Sequence, residues 1–210
     1  FDLGLYRIIS YGGTLDDQGL TVNLTPAGST VSVQTAIAGQ VNLVNTTGAT
    51  VNFWDGADQA GNGRIDGGAG TWTTAPTNWT TATGGLNSVY SPANFLIFAA
   101  APGAVTVGAV SLASGGGLQF AVNGYRLNGG AITLATGGHV FRVGDGTADG
   151  KDYVATIDTP ITGANGAVTK TDLGTLILNG ANTYTGITTV SAGTLMLNGS
   201  VAGGGSALVV

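Results

Sequence analysis

The sequence contains no cysteine and no glutamate, a single histidine, a single methionine, and only 6 lysine and arginine residues in 210. Each shortage removes a class of function. Without cysteine there is neither a disulfide nor a thiolate-held metal, so packing alone must stabilise the fold. All 11 acidic residues are aspartate, and the missing glutamate is a strong helix former. Six cations cannot build a nucleic-acid-binding patch, and a net charge of −5 sets the chain against anionic membrane surfaces. The lone histidine, His139, excludes a histidine metal cluster, and no Gly-x-Ser-x-Gly turn accompanies it to suggest a nucleophilic triad. It is read as a partly exposed residue opening a strand at 140–143. Mean hydropathy is positive. The strongest apolar run, 95–101, nevertheless halts at Pro102-Gly103, far short of the roughly 20 residues a spanning helix needs. No direct membrane insertion is expected.

What fills the chain instead is glycine, at 38 positions, with threonine, asparagine and short β-branched runs. Charged residues are 8% of the chain against roughly 25% in ordinary soluble domains. Apolar segments of three to five residues recur between turn clusters, from Arg7-Ile8-Ile9 and Leu20-Thr21-Val22 through Val105-Thr106-Val107 to Val154-Ala155-Thr156-Ile157. Residues 54–94 differ. They hold all 3 tryptophans and a dense Gly/Asp/Asn segment, so they read as a loop-rich excursion.

The most specific pattern lies at 170–199. Gly174-Thr175-Leu176-Ile177-Leu178-Asn179-Gly180 returns as Gly193-Thr194-Leu195-Met196-Leu197-Asn198-Gly199, with Asn182-Thr183-Tyr184-Thr185-Gly186 between the copies. A leucine strand closed by Asn-Gly and repeated about every 19 residues reads as one coil of a β-solenoid. Outward positions are Thr, Ser and Asn, which avoid stacking like charges about 4.8 Å apart from coil to coil. The expected fold is all-β, a right-handed parallel β-helix over 1–210 with the excursion at 54–94; a β-sandwich is the alternative for 1–50.

These residues resemble the autotransporter-associated β-strand repeat of bacterial autotransporter passenger domains, the type V secretion system. The likeness extends with less specificity through Phe53-Trp54-Asp55-Gly56, Gly70-Thr71-Trp72, Asn78-Trp79-Thr80 and Gly124-Tyr125-Arg126-Leu127. It implies a passenger segment at the cell surface or secreted from a Gram-negative bacterium. The chain lacks a leader and regular ten-residue barrel strands, so the signal peptide and barrel are expected elsewhere in a longer protein. The implied role is a non-catalytic adhesin or stalk. Its partner would be a host-cell surface or extracellular-matrix protein or glycan, with possible self-association and no cofactor.

Four aromatics set among Thr, Asn and Gly are the binding candidates: Trp54, Trp72, Trp79 and Tyr90. The competing reading is that they pin the excursion onto the solenoid. Two aspartate groups invite a calcium reading, one at Asp55, Asp58, Asn62 and Asp66 and one at Asp145, Asp149 and Asp152. Their spacing fits neither an EF-hand nor the nine-residue calcium repeat, so both are read as turns and no metal site is assigned. The enzymatic alternative is a polysaccharide-degrading β-helix using the mixed-charge group of Arg142, Asp145, Asp149, Lys151 and Asp152. Gly144 to Asp152 fails as a phosphate loop, because Asp145 stands where the first glycine belongs.

Overall fold

A computed structural model describes residues 1–200 and the strand Leu208–Val209; the last part of the expected 1–210 solenoid therefore falls outside the described residues. Apart from one 3-10 turn at Ala148–Asp152, the described elements are strands. From residue 95 the chain visits three parallel sheets in turn. Phe95–Phe98, Gly117–Phe120, Gly137–Val143 and Gly166–Thr171 stack on a long face. Ala104–Val107, Arg126–Gly129, Val154–Ile157 and Thr175–Leu178 stack on a second, and Val110–Leu112, Ile132–Leu134 and Ile161–Thr162 on a third. This is a β-helix-like solenoid, as the short threonine-rich strands led us to expect.

Register makes the interior columnar. On the second face Val105, Leu127, Ile157, Leu178 and Leu197 lie directly over one another. On the long face the interior column runs Leu96, Leu118, Phe141, Lys170, Val190. Side chains alternate across each strand, so Thr106 faces outward while Val105 and Val107 are buried. Each buried Leu or Ile is worth about 1.5 to 3 kcal/mol, and stacking lets every coil supply the lid for its neighbour.

Residues 1–50 depart from the expected coil. Gly4–Ser10, Val31–Gln34 and Gln40–Asn45 make a separate antiparallel sheet in the spatial order first, third, second. One face of this flank sheet lies on the outward side of the long face. Leu5, Ile37 and Val44 pack with Phe53, Phe95 and Ile97 in a second core distinct from the interior one. Neither a coil nor a free-standing sandwich describes it: outward residues at Phe53, Phe95 and Ile97 are too apolar to leave wet, and the N-terminal strands cover them.

The excursion also divides. Gly70–Trp72 belongs to the second face and pairs with Ala104–Val107, so the first coil runs from Val51–Trp54 through that strand. Trp79–Thr80 and Asn87–Ser88 then fold antiparallel onto Val51–Trp54, closing the N-terminal edge of the long face.

Candidate functional site

The four aromatic candidates lie inside the solenoid. Trp54, Trp72 and Trp79 are each 0% exposed and Tyr90 is 7% exposed. Trp79 sits at the centre, with ring centroids 5.2 Å from Trp54, 5.4 Å from Trp72 and 5.4 Å from Phe98. Phe98 stacks on Phe120 of the next coil at 5.1 Å. The rings form an aromatic plug in the N-terminal end of the interior, with no face free to meet a partner. A β-helix with its first coil exposed would waste its largest apolar residues on water; the hairpin that brings Trp79 over Trp54 prevents this. The indole nitrogens of Trp72 and Trp79 find no protein acceptor, so packing outweighs two unmade hydrogen bonds. Trp54 donates to the carbonyl of Gly68 at 2.8 Å.

The same excursion satisfies the strand edges at this end, one sheet at a time. The long face receives the antiparallel hairpin. On the second face Asn78 donates from Nδ2 to the carbonyls of Thr71 and Gly56 at 3.0 and 3.1 Å. On the third face the Tyr90 hydroxyl donates to the carbonyl of Ser111 at 3.0 Å and accepts from its amide at 2.9 Å. One phenol thus replaces the neighbouring strand at that residue, which is how an unpaired edge is made safe.

Arg142, Asp145 and Asp149 of the mixed-charge group form a joint between solenoid and flank sheet, while Lys151 and Asp152 pair with each other on the surface. Arg7 of the flank sheet bridges Asp145 at 3.0 Å and Asp149 at 3.3 Å. Arg142 bridges Asp172 at 2.9 Å and lies 3.9 Å from the centroid of the Tyr6 ring. Gln119 accepts from the amide of Leu5 at 2.7 Å and donates to its carbonyl at 2.8 Å, again copying a strand. Gly4 permits that approach: its φ is +119°, and a Cβ there would stand 2.2 Å from the Gln119 oxygen. Asp145 accepts from Tyr153 as well; burial, reinforced by that carboxylate, pushes the phenol up to about 12. The buried Asp145 carboxylate thus holds the flank sheet in place.

The aspartates around 55–66 are likewise engaged with the chain. Asp55 is buried and accepts from the amide of Asp66 and from Asn87, both at 2.9 Å; desolvation raises its carboxyl above the usual range against those two bonds. Asp58 holds Asn62 at 2.8 Å. Among the described residues no group of three or more His, Cys, Asp or Glu side chains is arranged to hold a metal ion. His139, expected to be partly exposed, is 1% exposed inside Gly137–Val143, with Nε2 against the carbonyl of Ala135 at 2.9 Å. Its position in the inward register of that strand is what buries it.

The repeated cassettes stack residue on residue, Thr175 on Thr194, Leu176 on Leu195, Ile177 on Met196 and Leu178 on Leu197. The Asn-Thr-Tyr motif between them builds the remaining corner. Asn182 accepts from the amide of Ile161 at 3.0 Å and Thr183 donates to its carbonyl at 2.8 Å, so the pair substitutes for a third-face strand. Tyr184 fills the interior with its hydroxyl 2.8 Å from that of Thr188. At the corner Asn198 donates to Asn179 at 3.0 Å and Asn179 to Asp158 at 2.7 Å, a polar ladder that locks coil to coil.

Among the described residues no helix is long and apolar enough to cross a membrane. Residues 168–197 match the family model described as passenger-associated-transport-repeat. Over 204 residues the chain is 46% identical to the adhesin BmaC autotransporter of Brucella suis biovar 1 (strain 1330), covering 90% of this chain and 6% of that protein. No solved structure matches.

Proposed function

We propose, from the premise that this chain is an autotransporter passenger segment carrying a passenger-associated transport repeat at 168–197, that it serves in attachment at the bacterial surface. The likeness to a protein named as an adhesin, extending over 90% of the chain, carries this reading. The segment spans 6% of that relative's length, so the partner, a protein or glycan of host cell or matrix, is part of the proposal. The role is non-catalytic: of the charged group that could have served an enzyme, Arg142 and Asp145 hold the flank sheet through Leu3, Tyr6 and Arg7. The repeat supports secretion. Its coils bury Leu176 and Leu178 completely, and a coil that folds on local contacts can form as soon as it clears the membrane and resist slipping back.

Two measurements test the two halves. Purified chain should bind cultured epithelial cells saturably, and a folded chain that does not bind removes the adhesive role. Leu176→Asp/Leu178→Asp in a surface-displayed passenger should abolish display, since two buried carboxylates would each need a partner the coil lacks; normal display removes the secretion role. Trp72→Ala or Trp79→Ala would report on the aromatic plug rather than on contact with a partner.

A further inference from the structure

Where the flank sheet meets the first coil, a groove of about 390 Å³ remains that none of the packing described above uses. Its walls come from three separated stretches: the turn that contains Tyr11, Thr14 and Asp17, the strand end at Thr35, and the loop bearing Gly63 and Arg64. Its volume lies in the range of small-molecule sites. Gly13 and Gly63 contribute open backbone, with nothing within 4 Å of where a Cβ would stand.

The lining offers complementary groups on a fixed frame. Asp17 is held by the amides of Gly19 at 2.9 Å and Leu20 at 3.0 Å and by the Thr35 hydroxyl at 3.3 Å, and the amide bonds keep its carboxyl below the usual range. Arg64 is the opposite case. Among the described residues its one ion pair is with Asp66 at 3.7 Å, beyond hydrogen-bond length, which leaves guanidinium donors for a ligand. Tyr11 adds an aromatic ring to the same wall.

We infer that this groove binds a neutral oligosaccharide, with one or two sugar units in the groove itself. A sugar presents an apolar C–H face suited to an aromatic ring, and vicinal hydroxyls that both donate and accept. Arg64 supplies a donor fork, Asp17 an anchored acceptor, and Thr14 and Thr35 hydroxyls that do either. The other ligand classes each meet a mismatch. An anion would face Asp17 and the net charge of −5, a cation would face Arg64, and an apolar molecule would strip water from both charges without replacing it. A second depression of about 220 Å³ shares Ala38 with the groove and continues past Gln40 and Asp66, giving a longer chain a path along the seam.

This inference deepens the adhesive reading and rests on it for its biological setting. It is tested by titrating the purified chain with defined neutral di- to tetrasaccharides, from hexose and N-acetylhexosamine sets, while following backbone amide shifts. At least one sugar should perturb amides at 11–17, 35–39 and 63–66. Tyr11→Ala and Arg64→Ala should each weaken that response about tenfold while the melting temperature stays within a few degrees. Silence at millimolar sugar, shifts elsewhere, an undiminished response in both variants, or a preference for acidic oligosaccharides overturns the proposal. The two readings can fail separately. A chain that attaches to cells but ignores every sugar keeps the adhesive reading and loses the groove; a chain that titrates with sugar but ignores cells does the reverse.

Discussion

The first coil of this solenoid and the repeated coils at 174–199 are held together in opposite ways. At the N-terminal end, every sheet edge is met by a group brought from outside the coil: a hairpin, the Asn78 amide, the Tyr90 phenol. The interior there is closed by indoles. In the repeated coils the described contacts come from the coils themselves. Cassette stacks on cassette, a polar ladder runs up the corner, and among the described residues Thr194–Leu197 is the edge strand of its sheet. Leu178 is 0% exposed, whereas Leu197, its counterpart in the next coil, is 38% exposed. The comparison teaches that a coil's sequence specifies its own geometry, while its stability depends on what lies on either side.

The sharpest way to break the comparison is to make one substitution in both cassettes. Leu178→Ala should cost about 2 to 5 kcal/mol, because it empties a site enclosed from both sides. Leu197→Ala should cost less than about 1 kcal/mol. Denaturant unfolding of the two variants measures the gap, and equal costs would mean that Leu197 is as enclosed as Leu178.

The next effect concerns Lys170, which occupies an interior column position where earlier coils place Leu96, Leu118 and Phe141. Its Nζ donates to the carbonyls of Thr171, Asp172 and Ala192 at 2.8, 2.8 and 3.1 Å. Burial lowers its pKa from 10.5 to about 8, against Asp172, which raises it. Between those values the unfolded chain binds more protons than the folded one, so the stability contributed at this site increases as pH rises from about 8 towards 10.5. The increase approaches about 3 kcal/mol at most. The stability difference between wild type and Lys170→Met should therefore grow in favour of wild type across that window. Tyr153, raised by burial, titrates in both proteins and cancels. A pH-independent difference would show that Lys170 keeps its ordinary pKa in the coil.

The smallest effect tests the sealed end. Tyr90→Phe keeps the ring and removes both bonds to Ser111, which should cost about 1 to 3 kcal/mol. Hydrogen exchange at the Ser111 amide should accelerate, with little change at the C-terminal coils. Unchanged exchange at Ser111 would mean that the phenol does not hold the edge.

Different parts of this molecule were legible to different degrees. The coil at 170–199 could be read because its information is local: strand, Asn-Gly turn and spacer repeat within about 20 residues, and like residues stack on like. The Asn-Thr-Tyr motif was visible as a motif, but its work at Asn182 and Thr183 as a stand-in for a strand was not. Residues 1–50, expected as coils with a β-sandwich as the alternative, form a flank sheet instead; a run such as Val41-Asn42-Leu43-Val44 is the same string in a parallel or an antiparallel sheet. The choice depends on the distant apolar surface of Phe95 and Ile97. The tryptophans were noticed for the right reason, their concentration at 54–94, yet composition cannot tell a ring facing out from one facing in. The groove at Tyr11, Asp17 and Arg64 carried no sequence signal, since its three walls are far apart in the chain.

Sequence alone determined that this protein is built of short strands and glycine turns without disulfides, and that its C-terminal part is a stacked repeat. Those properties follow from backbone preference and a local period, which need no knowledge of the rest of the chain. Tertiary structure decided which strands became coils and which became a cover, and turned part of a mixed-charge cluster into a joint. It also drew Trp54, Trp72 and Trp79 inward to close one end. Each of these outcomes rests on contacts between residues distant in sequence, where the burial of apolar surface, rather than any local propensity, selects among arrangements the strands permit equally well.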